Sequence, residues 1–277
     1  MMKILTIGNS FTWSLQPFFE KVVQSAGDEV MLAFANHGGC ELHRHWEYIS
    51  NEERDWVYHM YNGKKMRDHL AAEQWDIVTI QQASHASWRP ETYYPYADNI
   101  IEYVRKHAPS AEIVVQQTWA YRADDDRIRP GGEWGIDQTE MYNRLTANYR
   151  DLAKKYQLRI IPTGYAVQLS RQNEKNPFVP YEPSVMNTLR WPDLPSQAGD
   201  VVGQMSWYKN KETGEMFIGA DKIHLNQRGQ YMQCCVWYAT LFGKKTSEIT
   251  FVPDMISDSD AAFLREMAQK AVDGFTV

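Results

Sequence analysis

The sequence predicts an α/β fold in which a parallel β-sheet is covered by helices on both faces. Short runs of β-branched and other apolar residues alternate along the chain with segments whose apolar side chains recur at helical spacing. The run at 75–80 is nearly continuous in apolar residues, which is typical of a strand buried on both faces. Five strands are predicted, at 3–7, 30–35, 75–80, 112–115 and 158–161.

Helices are predicted between and after these strands. They cover residues 15–26, 64–74, 94–107, 138–156, 226–242 and 258–272. Right-handed connections through helices of this kind favour the strand order 2-1-3-4-5, and binding sites in such sheets lie at the carboxyl ends of the strands. We therefore expect a three-layer α/β/α sandwich with its functional site at that edge.

The length of the chain suits a single domain with loop insertions. Its 277 residues, 43% of them hydrophobic, are enough to bury a sizeable core. The segments 36–63, 83–95 and 173–212 are longer than ordinary connections. We expect residues 1–277 to form one domain that carries these three segments as insertions near the site.

Charge and cysteine content limit the partners and the location of the protein. A formal net charge of −6 without clustered Lys and Arg argues against a nucleic-acid partner. No apolar run approaches the roughly 20 residues that a membrane span needs. Cys40 and the adjacent Cys234 and Cys235 are expected to be reduced thiols. The chain opens directly into a strand, so the expected location is the cytoplasm, or a secreted or periplasmic one if a signal peptide has been removed.

A serine follows the first predicted strand, in the segment Gly8-Asn9-Ser10-Phe11-Thr12. A sharp strand-to-helix turn at this point would lift the Ser10 hydroxyl clear of the sheet. It would also leave the Ser10 N–H at a helix N-terminus, where amides have no intrahelical acceptor. Ser10 is therefore a candidate nucleophile, the alternative being a turn in which its hydroxyl only caps the helix.

A candidate acid and base lie near the other end of the chain, in Asp221-Lys222-Ile223-His224. A serine nucleophile needs a neutral imidazole to accept its proton, and the imidazole needs a carboxylate that fixes its tautomer. Alone, Asp221 could be a turn residue and His224 an ordinary histidine near a helix start. Together with Ser10 they indicate a catalytic triad of Ser10, His224 and Asp221.

These two segments resemble the SGNH (GDSL-like) hydrolase superfamily, in which Gly-Asp-Ser closes the first strand and Asp-x-x-His precedes a late helix. The resemblance implies a flavodoxin-like sandwich and an esterase or lipase that uses the proposed triad. It extends through the order of elements along nearly the whole chain, although only the motifs at 8–12 and 221–224 are specific to the family. The family usually has Asp where this chain has Asn9, a difference that leaves the serine in place.

The resemblance also implies donors for the oxyanion of a tetrahedral intermediate. The amides of Ser10 and Gly39 match two of them, because Gly39 follows the second strand where the family has a glycine. The third family donor is an asparagine after the third strand, where this chain has none. Gln82 is our prediction for this role, since related carbohydrate esterases have a glutamine near this strand end, and Gln81 and His85 are the alternatives.

Aromatic residues are frequent near the predicted strand ends. Their rings could stack on a sugar or another planar ligand, or could simply line large loops. The candidates are Trp88, Tyr93, Tyr94, Trp119, Trp134, Trp191, Trp207 and Tyr208.

The predicted function is hydrolysis of short-chain acyl esters, with O-acetyl on a carbohydrate as the expected substrate and without a cofactor. The histidines at 37, 43, 45 and 59 lack the CxxC or HExxH spacing of a metal site, so no metal is expected. An α/β-hydrolase is disfavoured because its serine lies mid-chain in Gly-x-Ser-x-Gly, and position 12 here is Thr. A non-catalytic carbohydrate-binding protein on the same fold is the alternative.

Overall fold

The computed structural model describes residues 1–181, 183–197 and 199–276. Five strands form one parallel sheet, and they span Met2–Gly8 (β1), Val30–Asn36 (β2), Ile77–Ile80 (β3), Glu112–Gln116 (β4) and Arg159–Ile161 (β5). Their order is β2-β1-β3-β4-β5, which confirms the predicted topology. The central strands β1 and β3 are buried almost throughout, whereas the edge strand β2 is half-exposed over most of its length.

Helices cover both faces of this sheet. In the described part of the chain they span Ser10–Trp13 (α1), Phe19–Ser25 (α2), Leu42–Asn51 (α3), Met66–Ala71 (α4), Ser84–Ser87 (α5), Tyr96–His107 (α6), Gln138–Tyr156 (α7), Thr163–Asn173 (α8), Pro183–Thr188 (α9), Gln227–Phe242 (α10) and Asp258–Gly274 (α11). Short 3₁₀ turns lie at Trp56–Tyr58, Pro90–Thr92 and Thr246–Glu248.

Two groups of helices make the outer layers. Helices α2, α8 and α11 all contact α10, while α3 and α4 contact α6. Right-handed crossovers place these two groups on opposite faces of the sheet. Helix α10 is buried along nearly its whole length; the Asn226 side chain caps its start by accepting the N–H of Gly229, and Gly243 ends it in the left-handed region.

An antiparallel hairpin begins inside the segment 173–212, which is predicted to be an insertion, and continues beyond it. Its strands span Val202–Lys209 (β6) and Met216–Leu225 (β7), and the side chain of Asn210 organises the turn by accepting the N–H groups of Glu212 and Thr213. The signal was an aromatic-rich segment on each side of a polar, glycine-containing turn. Asp221 and His224 therefore lie on a strand. Helices α3 and α8 were not predicted either.

The register of the sheet brings several candidate residues to one edge. Gly8 pairs with Asn36, Ile7 with Ile80, and Ile80 with Val115, so the carboxyl ends of β1 to β4 are level. The turn that carries Ser10, the loop that carries Gly39 and the segment that carries Gln82 leave the sheet at this edge. None of the helices in the described residues is long and apolar enough to cross a membrane.

Candidate active site

Ser10, His224 and Asp221 form a continuous chain of hydrogen bonds. The Ser10 Oγ lies 2.9 Å from His224 Nε2, and His224 Nδ1 lies 2.7 Å from Asp221 Oδ2. The His224 side chain is 39% exposed and that of Asp221 is 41% exposed, so a substrate can reach them from solvent. The structure thus brings the three residues together in the order that the proposed triad requires.

The carboxylate of Asp221 is stabilised in its charged form. Partial burial alone would raise its pKa, but the hydrogen bond with the His224 ring and the N–H groups of Ile223 and His224 outweigh burial and lower the pKa to about 2. Asp221 therefore stays ionised far below neutral pH. A charged acceptor at Nδ1 favours the tautomer in which Nε2 is free to accept the Ser10 proton.

Stacked aromatic rings hold the turn at 8–12, which carries the proposed nucleophile Ser10 and is called the nucleophile turn below, against the strand that carries His224. Phe11, next to Ser10, stacks on Trp119 with ring centroids 4.0 Å apart and an interplanar angle of 6°. The Trp119 Nε1–H donates to the carbonyl of Ile223, and the edge of Phe11 also meets the His224 ring. Trp119 is fully buried and serves this packing, so it is not a ligand-binding ring.

The side chains of Thr12 and Gln81 leave no room for a larger residue at position 8. A Cβ on Gly8 would lie 2.9 Å from Thr12 Oγ1 and 3.0 Å from Gln81 Cδ. After this glycine the chain turns into α1, and the Asn9 side chain caps that helix by accepting the Phe11 N–H. Ser10 is the first residue of α1, so its N–H has no acceptor within the helix.

Asn9 connects the nucleophile turn to the loop that follows β2. Its Oδ1 accepts from Gln81 Nε2 as well as from the Phe11 N–H, and its Nδ2 donates to the Cys40 carbonyl at 3.2 Å. Asn36, which sequence reasoning missed, supports the same turn by donating to Thr12 Oγ1 and to the Asn9 carbonyl. An aspartate at position 9 could not donate to a carbonyl, which explains why asparagine fits this chain.

Exchanging Asn9 for aspartate tests this role. Asn9→Asp places a buried carboxylate against the Cys40 carbonyl, so we expect the free energy of unfolding to fall by about 1–3 kcal/mol. We also expect kcat for an ester substrate to fall roughly 10- to 100-fold, because the loop that carries Gly39 loses its anchor. Urea denaturation and steady-state kinetics measure the two effects.

Asn51→Asp is the matched control for this substitution. Asn51 also donates its Nδ2 to a carbonyl, that of Glu47, but it does so on the exposed surface of α3. The control should keep the stability and kcat of the unchanged protein. An Asn9→Asp variant that behaved in the same way would show that Asn9 does not position the loop.

The loop at 37–40 places Gly39 beside the nucleophile turn. The His37 N–H donates to the Gly8 carbonyl, and the Cys40 carbonyl accepts from Asn9, so the loop is fixed at both ends to the turn that carries Ser10. Gly39 has a φ of +61°, a conformation that favours glycine. Gly39 is exposed and its N–H has no acceptor among the described residues, so the amide is available to a ligand.

Gln82 is not available as the third oxyanion donor, contrary to the sequence-based expectation. Its Nε2 donates to the carbonyl and hydroxyl of Thr92, and its Oε1 accepts the N–H groups of Leu42 and Ala83. The side chain is 1% exposed. Gln82 therefore joins the segments that follow β2 and β3, and we do not assign it to the oxyanion hole.

The two alternatives to Gln82 also have partners. Gln81 is buried and donates to Asn9, so it supports the nucleophile turn. His85 is one-third exposed, and its Nε2 lies 2.8 Å from Glu41 Oε1. The amides of Ser10 and Gly39 are thus the predicted oxyanion donors that the structure leaves open to a ligand.

The remaining histidines do not form a metal site in the described residues, where no group of three or more His, Cys, Asp or Glu side chains converges. His45, for example, is fully buried against Tyr61, with its Nδ1 2.8 Å from the Tyr61 hydroxyl. Burial lowers the pKa of His45 to about 3, so it remains neutral.

The family described as "Domain of unknown function (DUF4886)" matches residues 3–178. The chain belongs to this family. The matched region includes Ser10 and Gly39 and ends before Asp221 and His224. No curated protein matches the chain.

Two solved structures show the relationship in three dimensions. A DUF4886 family protein from Bacteroides uniformis ATCC 8492 is 21% identical, with a TM-score of 0.74 over 99% of this chain and 95% of that protein. A candidate SGNH hydrolase from Slackia heliotrinireducens is 18% identical, with a TM-score of 0.51 over 87% of this chain and 98% of that protein. This DUF4886 chain therefore has the fold of the SGNH hydrolases.

Proposed function

We propose that this protein is a serine ester hydrolase with Ser10 as nucleophile, His224 as base and Asp221 as acid. The observation that carries the proposal is the hydrogen-bond chain from Ser10 Oγ through the imidazole to the Asp221 carboxylate. The fold shared with the SGNH hydrolases supports it, because binding sites in such sheets lie at the carboxyl ends of the strands and Ser10 follows β1 at that edge. A protein that only bound its ligand would have no need for a serine, an imidazole and a carboxylate in this order.

The geometry suggests a two-step acyl transfer. Ser10 Oγ attacks the ester carbonyl carbon as its proton passes to His224 Nε2, and the N–H groups of Ser10 and Gly39 hold the oxyanion. When the bond between that carbon and the alcohol oxygen breaks, His224 gives its proton to the alcohol. Water then attacks the acyl group on Ser10 with His224 as base, which releases the acid and restores the serine.

The proposed substrate is a short-chain acyl ester of a carbohydrate, with acetyl as the expected acyl group. The resemblance of the sequence to carbohydrate-active SGNH esterases supports this class of substrate. Exposed aromatic rings on the hairpin that carries Asp221 and His224 support it as well, since Tyr208 and Phe217 are about half exposed.

A panel of esters tests the proposal. The purified protein is incubated with the p-nitrophenyl esters of acetate, butyrate and octanoate and with 6-O-acetylglucose, and release of p-nitrophenol or acetic acid is followed. We expect turnover of the acetyl esters and a decline as the acyl chain lengthens. Sugar binding without hydrolysis of any ester would contradict the proposal and favour the non-catalytic carbohydrate-binding alternative.

A further inference from the structure

A cavity of about 570 Å³ lies beside the acid of the proposed triad. It is formed between the β6–β7 hairpin and the loop that follows β4, and its volume is within the range of ordinary small-molecule sites, roughly 300–1,000 Å³. Asp221 forms part of its wall and is linked to Ser10 through the hydrogen bonds of His224. The residues that matter for its chemistry are Asp126, Arg127, Tyr208, Phe217, Asp221 and Lys222.

Two aromatic rings form the apolar part of the wall. Tyr208 and Phe217 are directly opposite each other in the hairpin, with ring centroids 5.8 Å apart and an interplanar angle of 30°. The Tyr208 ring rests on the backbone of β7, since a Cβ on Gly219 would lie 2.7 Å from its Cε2. Tyr208 is 52% exposed and Phe217 is 49% exposed, so both rings offer apolar surface to a ligand.

Charged groups of both signs line the rest of the cavity. Arg127 is held by two hydrogen bonds of 2.7 Å to Asp125, and Lys222 Nζ donates to the Asp124 carbonyl while it lies 3.9 Å from Asp126 Oδ2. These groups can donate to and accept from hydroxyl groups. The lining carries three carboxylates, of Asp125, Asp126 and Asp221, against the cations of Arg127 and Lys222, so its charge does not select a strongly charged ligand.

The proposed reaction defines which part of the substrate lies near the imidazole of His224. The departing alcohol must take its proton from His224, so it leaves on the side of the imidazole and away from the oxyanion donors. Asp221, which hydrogen-bonds the same imidazole at Nδ1, lines the cavity, so the cavity lies next to the residue that holds this ring. A sugar ring fits its chemistry, because one ring face is apolar enough to stack on an aromatic side chain while the hydroxyl groups at its rim form hydrogen bonds.

We propose that this cavity binds the sugar ring of the ester's alcohol portion, with Tyr208 and Phe217 as the stacking surface and Asp126 and Lys222 as hydrogen-bonding groups. The proposal rests on the proposed esterase function and specifies where its substrate is recognised. It makes Tyr208 and Phe217 determinants of specificity for the alcohol.

The test compares two acetyl esters in the same protein. 6-O-acetylglucose carries a sugar that can enter the cavity, whereas the alcohol of ethyl acetate is too short to reach it. For Tyr208→Ala and for Phe217→Ala we expect the ratio of kcat/KM for the sugar ester to that for ethyl acetate to fall roughly tenfold, mainly through KM. The matched control is Trp56→Ala, which removes an 80% exposed aromatic side chain that does not line the cavity and should leave the ratio at its original value.

A binding measurement separates this inference from the proposed function. The Ser10→Ala protein should bind 6-O-acetylglucose in a titration calorimeter, and adding Tyr208→Ala should weaken that binding roughly tenfold. If that weakening occurs but the unmodified protein releases no acetate, the sugar site stands and the esterase proposal fails. If both esters are hydrolysed and neither aromatic variant changes the ratio by more than about twofold, the esterase proposal stands and the sugar site is overturned.

Discussion

Replacing Ser10 with alanine should reduce ester hydrolysis by roughly 10⁴-fold or more. The substitution removes the oxygen that attacks the carbonyl in the proposed mechanism and that shares the 2.9 Å hydrogen bond with His224. The helix cap made by Asn9 does not involve the serine side chain, so the turn should keep its shape. Acetate release from p-nitrophenyl acetate and 6-O-acetylglucose measures the effect, with thermal unfolding as a check on the fold.

Ser50→Ala is the matched control for this experiment. Ser50 is an exposed serine in α3 whose hydroxyl donates only to the carbonyl of Glu47 and accepts from Asn51, away from the proposed site. Its loss should leave the rate unchanged. Rapid hydrolysis by a folded Ser10→Ala variant would exclude Ser10 as the nucleophile.

Replacing Asp221 with asparagine should lower kcat by roughly 10⁴-fold while the protein remains folded. The asparagine keeps the size of the side chain but removes the charge that faces His224 Nδ1 at 2.7 Å. Its Nδ2 can instead donate to Nδ1, which leaves the proton on Nε2, where it blocks proton transfer from Ser10. Asp254→Asn, at an exposed position outside the proposed site, is the control and should retain full activity. A kcat within about tenfold of the original would exclude Asp221 as the triad acid.

The pH dependence of stability gives Asp221 a second, independent signature. Its pKa is lowered from 3.8 to about 2 in the folded protein, so its charged form stabilises the fold above pH 3.8, and this contribution is lost as the pH falls towards 2. The stability advantage of the unmodified protein over Asp221→Asn should therefore be full above that value and vanish near pH 2. Urea denaturation at a series of acidic pH values measures it. An advantage that stayed constant across this range would show that the Asp221 carboxylate is not stabilised by its neighbours.

The main sheet could be predicted because its signals are local. Buried runs such as 75–80 combine apolar character with lengths typical of strands, and the alternation with helices then favours a parallel sheet and its order. The hairpin of β6 and β7 was harder to predict, because its half-exposed strands lie beside a segment that is rich in proline and asparagine. The sequence therefore predicts only that Asp221 and His224 precede a helix, and not that they lie on a strand.

The candidate site was predictable where residues from separate segments complete one chemical function. A serine on a turn and an Asp-x-x-His segment are each ambiguous alone, but together they offer a nucleophile, a base and an acid, and the structure brings them together. Gln82 shows the opposite case, because its amide can donate or accept in any direction. Its partners Leu42 and Thr92 lie 40 and 10 residues away in the sequence, and only the folded chain shows that they form hydrogen bonds with the Gln82 amide. Trp119 is similar, since nothing local distinguishes a buried ring from a ligand-stacking one.

Ser10 and His224 stand 214 positions apart in the chain. Bringing such distant residues together is entropically unfavourable, so their hydrogen bond is a result of complete folding and contributes little to driving it. A nascent chain still on the ribosome, or a proteolytic fragment that ends before residue 224, would carry the nucleophile without its base. On the proposed mechanism, a chain that stops before residue 224 therefore has no hydrolytic activity.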